Sequence, residues 1–327
     1  MNQRTAPNLL SVVVPCYNEE AVIEATHARL TEVLGRLGVR CEVIYADDGS
    51  RDRTADILDR IRRSDPRVRV VTLARNFGHQ AAASAGLEHA RGDAVVLIDA
   101  DLQDPPEVIP GMLERWRAGV DVVYGQRTSR EGESFFKLLT ARVFYRLLTG
   151  IAERPVPVDT GDFRLMDRSV VDCLVAMPEQ DRFLRGMVAW IGFRQEPLAY
   201  ARAARLAGET KYPFHKMLRL AVDAFISLSR APVRLLWWLC GGTLAAASLA
   251  AASAGLLALA GRDSHTAAVV AAVLGVGGLN LVGLTIVAEY AARIYRQVRG
   301  RPLWITRSVH GFPEAATTAA DRPRRAA

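Results

Sequence analysis

An α/β fold is predicted for the first two-thirds of this chain: a doubly wound, mostly parallel sheet with helices on both faces. A C-terminal two-helix transmembrane hairpin should follow. Three observations predict this. Short runs of β-branched and aliphatic residues alternate with segments of helical hydrophobic spacing, the strand–helix order that builds a parallel sheet. Two of those runs end in acidic residues, at the edge where open α/β sheets bind ligands. Beyond residue 234, residues 235–261 and 266–288 contain no charged side chain, and each run exceeds the roughly 20 apolar residues needed to cross a bilayer.

In order along the chain, residues 9–14 form a strand closed by Pro15. Glu19 and Glu20 open a helix whose Val22, Ile23, Leu30, Val33, Leu34 and Leu37 recur at helical spacing, ending at Gly38. Residues 41–45 are a strand that runs into Asp47-Asp48-Gly49-Ser50, and residues 54–63 a helix with Ile57, Leu58 and Ile61 inward. A third strand spans 68–73, a helix 80–90, a fourth strand 94–98, a helix 108–118 and a fifth strand 120–124.

The fourth strand leads straight into Asp99-Ala100-Asp101, then Leu102-Gln-Asp-Pro-Pro-Glu107. Two carboxylates two residues apart at the mouth of a low-dielectric sheet repel each other unless a cation or hydrogen-bond donors compensate them. Mg²⁺ or Mn²⁺ suits such a pair, binding one or two carboxylates together with substrate phosphate oxygens. An isolated acidic triplet would equally suit a solvated turn capping the next helix. Here Asp47-Asp48 closes another apolar strand, so neighbouring strands would bring both acidic ends to one crevice. Asp48 alone also suits a turn former beside Gly49.

The net charge of +7 and pI of about 9.5 do not point to nucleic acid, because the basic residues flank the apolar runs instead of alternating with stacking aromatics. Arg202, Arg205, Lys211, Lys216, Arg219, Arg230 and Arg234 precede the first run; Arg293, Arg296, Arg299, Arg301 and Arg307 follow the second. Anionic lipid explains them. The link at residues 262–265 allows only a tight turn, and the positive-inside rule puts both flanks, with the N-terminal domain, in the cytosol. Residues 134–149, where Phe135, Phe136, Leu139, Val143, Phe144 and Leu147 alternate with Lys137, Arg142 and Arg146, and residues 213–229 suit amphipathic interface helices. The same periodicity describes a helix packed on the sheet. Four cysteines without paired spacing read as reduced, no histidine pair supports zinc, and residues 1–8 lack a signal-peptide core.

The ordered set Val14-Pro-Cys-Tyr-Asn-Glu19, Asp47-Asp-Gly-Ser50, Asn76-Phe-Gly-His79 and Asp99-Ala-Asp-Leu-Gln-Asp-Pro-Pro-Glu107 resembles the nucleotide-sugar domain of family 2 glycosyltransferases with the GT-A fold. Thr160-Gly-Asp-Phe-Arg-Leu165, Arg185-Gly186, Gly208-Glu-Thr-Lys-Tyr-Pro213 and the hairpin resemble, more narrowly, bacterial polyprenyl-phosphate glycosyltransferases related to dolichol-phosphate mannose synthase. The resemblance covers residues 10–301. It implies that Pro15, Tyr17, Asn18 and Glu19 line the base and ribose pocket, with Asp47 or Asp48 reading base or ribose. Asp101 would hold Mg²⁺ or Mn²⁺, supported by Asp99, with Ala100 between them and Gln103 near the sugar. Arg127, Arg130, Arg205 and Lys211 would divide the lipid phosphate and the donor diphosphate among them, the first three assigned to the lipid phosphate and Lys211 to the donor. Asp162 matches the proposed catalytic base, with Asp159 as second choice. A phosphate monoester is already largely dianionic near neutral pH, so an orienting role for Asp162 stays open.

The implied activity is inverting, metal-dependent transfer of a sugar, glucose from UDP-glucose as first choice, to polyprenyl phosphate at the cytosolic face of the inner (plasma) membrane. Its partners are a nucleotide sugar, polyprenyl phosphate and membrane lipids, with homo-oligomerisation left open. The expected organisation is a catalytic domain over residues 1–200, a basic juxtamembrane segment 201–234, a hairpin 235–292 and a basic tail 293–327. A processive polysaccharide synthase shares the first motifs but normally carries Gln-x-x-Arg-Trp and more spans, whereas this chain has Gln180-Asp-Arg-Phe-Leu-Arg185. A nucleotidyltransferase would leave the hairpin without a purpose. A non-catalytic nucleotide-binding scaffold would not need the full acidic set.

Overall fold

A computed structural model of the chain describes residues 3–128, 160–201 and 265–312, with further helical positions at 238, 242, 243, 245, 246 and 249. The chain divides into two units, one of residues 1–150, 154–218 and 302–327, the other of 151–153 and 219–301. In the first, β1 (Leu10–Cys16), α1 (Ile23–Gly35), β2 (Cys41–Asp47), α2 (Thr54–Ser64), β3 (Val68–Leu73), α3 (His79–His89) and β4 (Ala94–Leu97) alternate. A 3-10 turn, Pro106–Val108, leads into α4 (Ile109–Arg117) and β5 (Val122–Arg127). Then come β6 (Thr160–Asp167), α5 (Arg168–Ala176), α6 (Leu184–Ile191) and β7 (Gln195–Tyr200). The second unit contributes α7 (His265–Val298), after which β8 (Thr306–His310) returns to the first.

The eight strands form one sheet in the order β7-β5-β6-β4-β1-β2-β3-β8. It is mixed. β1 pairs parallel with β2 and β4, β2 with β3, and β5 with β7, whereas β6 runs antiparallel to β4 and β5 and β8 antiparallel to β3. The period of two along β1 sends Leu10, Val12 and Val14 to one face, where Ile23, Leu30, Ile57, Leu58, Ile109 and Met112 of α1, α2 and α4 cover them. Val13 faces the other side, under Ala82, Ala83 and Ala85 of α3 and Val170, Val171 and Met187 of α5 and α6. Helices cover both faces, as doubly wound architecture requires. The closest approach is at Gly86, where an added Cβ would lie 2.4 Å from Val13 Cγ1, so α3 needs glycine there.

Two expectations change. Pro15 does not stop β1, which continues to Cys16 opposite Asp47. The Val13 carbonyl faces β4, accepting from Ile98 N at 3.0 Å. Pro15, two residues on, faces the same way, past the last β4 rung, and its missing N–H costs the sheet nothing. The segment expected to be a basic tail instead supplies β8, which covers the β3 edge, with Trp304 and Phe312 packed on the core beneath α3, α5 and α6.

Helix α7 contains residues 275–298, a 24-residue stretch with an 18-residue window of mean hydropathy 1.3, long and apolar enough to cross a membrane by length and composition. Its Val273, Leu281, Leu284 and Val287 side chains are exposed. The expected span 266–288 falls within it. Apart from the scattered positions given above, the expected span 235–261 lies outside the described residues, as do the interface segments 134–149 and 213–229.

Asp167, at the end of β6, caps α5: its Oδ1 accepts from Ser169 N at 3.0 Å and Ser169 Oγ at 2.6 Å, and its Oδ2 from Trp116 Nε1 at 2.9 Å. Burial works against the charge, but the Ser169 and Trp116 bonds and Arg4 hold the carboxyl below its ordinary range. A depressed carboxylate contributes stability that is present above the unfolded pKa and lost as pH falls through the folded one. Asp167→Ala should therefore cost about 1 kcal/mol near neutral pH. The deficit should shrink as pH falls below about 4, measured by denaturant unfolding at both pH values.

Candidate active site

The carboxyl ends of β1, β2 and β4 lie side by side, because β1 sits between the other two. The site grows from that edge. The β4–β6 register runs from Ala94 opposite Asp167 to Leu97 opposite Arg164. Continued by two residues, it sets Asp99 across from Asp162, at a spacing where like charges oppose each other directly.

His79 lies between them, with Nε2 3.4 Å from Asp99 Oδ1 and 3.4 Å from Asp162 Oδ2. It is the first residue of α3, reached through Gly78 at φ +104°. Asp162, 3% exposed, is enclosed by donors. Arg185 Nε donates to Oδ1 at 2.8 Å and Gln80 Nε2 to Oδ2 at 3.0 Å, while Gln80 Oε1 accepts from Leu184 N at 2.9 Å, tying the start of α6 to the same point. Arg164, also buried, donates to the carbonyls of Gly161 and Asp162.

These charges set one another's protonation. Burial alone would raise the Asp162 pKa, but Arg185 and His79 outweigh it and hold the carboxyl well below its ordinary range. Burial would likewise discharge His79, yet Asp99 and Asp162 push it up to about 9. Asp99 moves the other way: burial, with Asp162, Asp104 and Asp101 nearby, lifts it to about 6 against the pull of His79. Burial beside Arg185 lowers Arg164 to about 10 despite Asp162. Asp162 is thus a firmly ionised anchor for cations and a weak proton acceptor.

Among the described residues, Asp99 Oδ1 is a buried carboxylate oxygen without a hydrogen-bond partner. No group of three His, Cys, Asp or Glu side chains there could enclose a metal ion. Hard oxygen donors from two carboxylates still suit a Mg²⁺ or Mn²⁺ that completes its shell from a diphosphate and water. The turn carrying Asp101 is held by Thr26 Oγ1, which donates to the Ala100 carbonyl at 2.6 Å, and by Gln103 N, which donates to Asp101 Oδ1 at 3.1 Å. Burial raises the Asp99 carboxyl, and a bound cation would hold it ionised against that burial.

The doublet after β2 is split by its bonding. Asp48 places both oxygens on the α3 approach, accepting from Phe77 N at 2.7 Å and Gly78 N at 2.9 Å. Asp47 Oδ1 accepts from Ser50 N at 3.0 Å and from Ser50 Oγ, while its Oδ2 is buried without a partner. Burial raises both carboxyls. The β1 loop docks on this one: Asn18 N donates to Ser50 Oγ at 3.0 Å, Arg51 N to Asn18 Oδ1 at 2.9 Å, and Glu19 N to Thr54 Oγ1 at 2.8 Å. Gly49 permits that turn, at φ +67° with its Cβ position 2.6 Å from the Arg75 backbone. Pro15 and Asp47 at the ends of β1 and β2, and Tyr17, Asn18, Glu19, Asp99, Ala100, Asp101 and Gln103 on the loops after β1 and β4, thus lie along one edge, with Asp162 beside them.

Arg127 does not stand apart as an anion site. Its Nη2 lies 3.3 Å from Asp104 Oδ1, and its Nε donates to Tyr200 Oη at 3.2 Å. Arg130, Asp159, Arg205 and Lys211 lie outside the described residues. Sequence reasoning gave no role to His79, Gln80, Asp104, Arg164, Arg185 or Tyr200. His79, Asp104, Arg164 and Arg185 stand inside the motifs named above, which is the available signal; Gln80 and Tyr200 carry none.

The family profile described as Glycosyl transferase family 2 matches residues 11–175. The chain is 44% identical over 305 residues to the uncharacterized glycosyltransferase YkcC of Bacillus subtilis, with 92% of this chain and 94% of that protein covered. It is 36% identical over 304 residues to the bactoprenol glucosyl transferase of Shigella phage SfII, with 92% and 98% covered. Among solved structures, a mannosyltransferase from Pyrobaculum calidifontis in complex with GDP-Man and Mn²⁺ overlays at TM-score 0.45 with 19% identity, covering 86% of this chain and 87% of that one.

Proposed function

From its membership of glycosyl transferase family 2, which makes this chain a glycosyltransferase, we propose that it transfers glucose from UDP-glucose to polyprenyl phosphate at the cytosolic membrane face. The observation that carries the reading is the strand-end carboxylate edge, where Asp99 Oδ1 faces His79 across 3.4 Å and has no hydrogen-bond partner of its own. Relatives named bactoprenol glucosyl transferase support the sugar and the acceptor. The apolar helix α7 supports a membrane location, and a hairpin with the 235–261 span remains part of the proposal.

In this reading the nucleoside sits on the loops after β1 and β2, among Pro15, Tyr17, Asn18 and Glu19, with Asp47 Oδ2 accepting a base or ribose hydrogen. Asp48 serves the loop beneath and does not touch the donor. Asp99 and Asp101 would hold Mg²⁺ or Mn²⁺, with Gln103 near the sugar. A bound divalent cation supplies electrostatic stabilisation of the leaving diphosphate. Asp162 fixes Arg185 and His79, presenting a cation beside the reacting centre without taking up a proton. The acceptor phosphate is itself mostly dianionic at cytosolic pH, so it attacks the anomeric carbon directly and a base is not required. Arg185, with Arg130 and Arg205 from outside the described residues, would hold that phosphate, and Lys211 the donor diphosphate. One displacement then inverts the anomeric centre.

Membranes containing the chain, incubated with polyprenyl phosphate and labelled UDP-glucose, UDP-N-acetylhexosamine or GDP-mannose in turn, test the donor. Label should enter the lipid fraction from UDP-glucose. Preferential incorporation from either other donor would overturn the sugar assignment, and label in a water-soluble polymer would favour a synthase.

A further inference from the structure

The turn after β4 holds a strained backbone. Leu102, buried, sits at φ +56°, a left-handed conformation unfavourable for a non-glycine residue. Such strain persists where surrounding contacts over-determine it. Leu102 lies between Asp101 and Gln103, so its conformation sets where the Asp101 carboxylate stands. Asp104 closes the turn. It is 1% exposed, and it is held from the far side of the sheet.

The holding groups come from β5 and β7. Arg127 and Tyr200 are register partners at the ends of those parallel strands, and Thr128 N and Oγ1 both donate to the Tyr200 carbonyl at 3.0 Å. Tyr200 Oη donates to Asp104 Oδ1, and Arg127 Nη2 donates to both Asp104 oxygens at 3.3 and 3.4 Å. Arg127 Nε donates back to Tyr200 Oη at 3.2 Å, closing a triangle. The tyrosine ring is fixed edge-on against Phe163, with centroids 5.8 Å apart. Space for the triangle is cleared by two glycines: a Cβ on Gly161 would lie 2.7 Å from Arg127 Nη2, and one on Gly125 would lie 2.8 Å from Tyr200 Cε1. Gly161 immediately precedes Asp162, so the crossing arginine also spans the strand that carries it.

We propose that Asp104, Arg127 and Tyr200 form a positioning clamp that locks the Asp101–Asp104 turn in its left-handed form and so presets Asp101 for the divalent cation and donor diphosphate. The clamp rests on the reading that Asp99 and Asp101 bind that cation. It commits Arg127 to the turn and not to the acceptor phosphate. Its members are positioning residues, since Asp104 is sealed by its two partners. Residues supporting a metal ligand from outside typically change metal affinity by about 10- to 100-fold when altered.

Tyr200→Phe isolates the clamp, removing one hydroxyl while keeping the ring against Phe163. Mn²⁺ binding to the full-length, detergent-solubilised protein saturated with UDP, followed by the electron paramagnetic resonance signal of free Mn²⁺, gives a readout independent of turnover. Tyr200→Phe should weaken Mn²⁺ about 10-fold, lower kcat with the acceptor KM unchanged, and melt within a few degrees of wild type. Asp104→Asn should weaken Mn²⁺ similarly, and the double variant no more than the worse single. If Asp104→Asn does not fold, Tyr200→Phe decides alone. Wild-type Mn²⁺ affinity in Tyr200→Phe, with binding lost in Asp101→Asn, would overturn the clamp and spare the metal reading. Wild-type affinity in Asp101→Asn would overturn the metal reading itself.

Discussion

Asp101→Asn should lower glucosyl transfer by at least about 10³-fold, the upper end of what a single electrostatic stabiliser of a developing charge contributes. The substitution removes a charge with little change of shape. Asp101 Oδ1 accepts the Gln103 N–H at 3.1 Å, and an asparagine carbonyl oxygen accepts it equally well, so the turn and the fold should persist. Asp99→Asn should act in the same direction, since it removes the second carboxylate of the pair. A folded Asp101→Asn that turns over at the wild-type rate in excess chelator would remove the metal from the account.

The second large effect is at Asp162. Asp162→Asn leaves Arg185, Arg164 and His79 gathered around a neutral amide in a buried place, and breaking a buried ion pair costs about 3–5 kcal/mol. Stability should fall within that range, read as a lowered denaturation midpoint, and transfer should fall about 10²-fold. The form of the loss separates two roles. If Asp162 works by holding Arg185, then Arg185→Ala loses a similar amount and the double variant loses no more than the worse single, since the residues act as one unit. Additive losses would instead mean that Asp162 acts on the acceptor independently, as a base would.

The parallel half of the fold is legible in the sequence because β1 to β4 are apolar runs buried on both faces, the pattern such strands carry. The other half is hidden for physical reasons. In β6, Asp162 and Arg164 are buried together and offset each other's charge, so a core strand looks polar. Strand β8 lies far from its neighbour β3 in sequence, and its Thr306, Arg307 and Ser308 carry no apolar run. At the site, the acidic strand ends and the Asp47-Asp48 doublet announce themselves, but the division of labour within the doublet depends on which backbone N–H groups Asp48 meets. Arg127 reads from the sequence as a cation for the acceptor phosphate because its partners, Asp104 and Tyr200, stand elsewhere in the chain. His79 was visible as a motif letter only; its place between Asp99 and Asp162 follows from the β4–β6 register and the start of α3.

The central claim is a single displacement by lipid phosphate on a nucleotide-linked glucose. It is tested most directly by the anomeric configuration of the product made from α-linked UDP-glucose carrying ¹³C at the anomeric carbon. NMR of the extracted lipid should show a β-linked glucosyl phosphate on the polyprenyl carrier. An α-linked product would contradict the single displacement, and glucose attached to anything other than the polyprenyl phosphate would contradict the assignment of the acceptor.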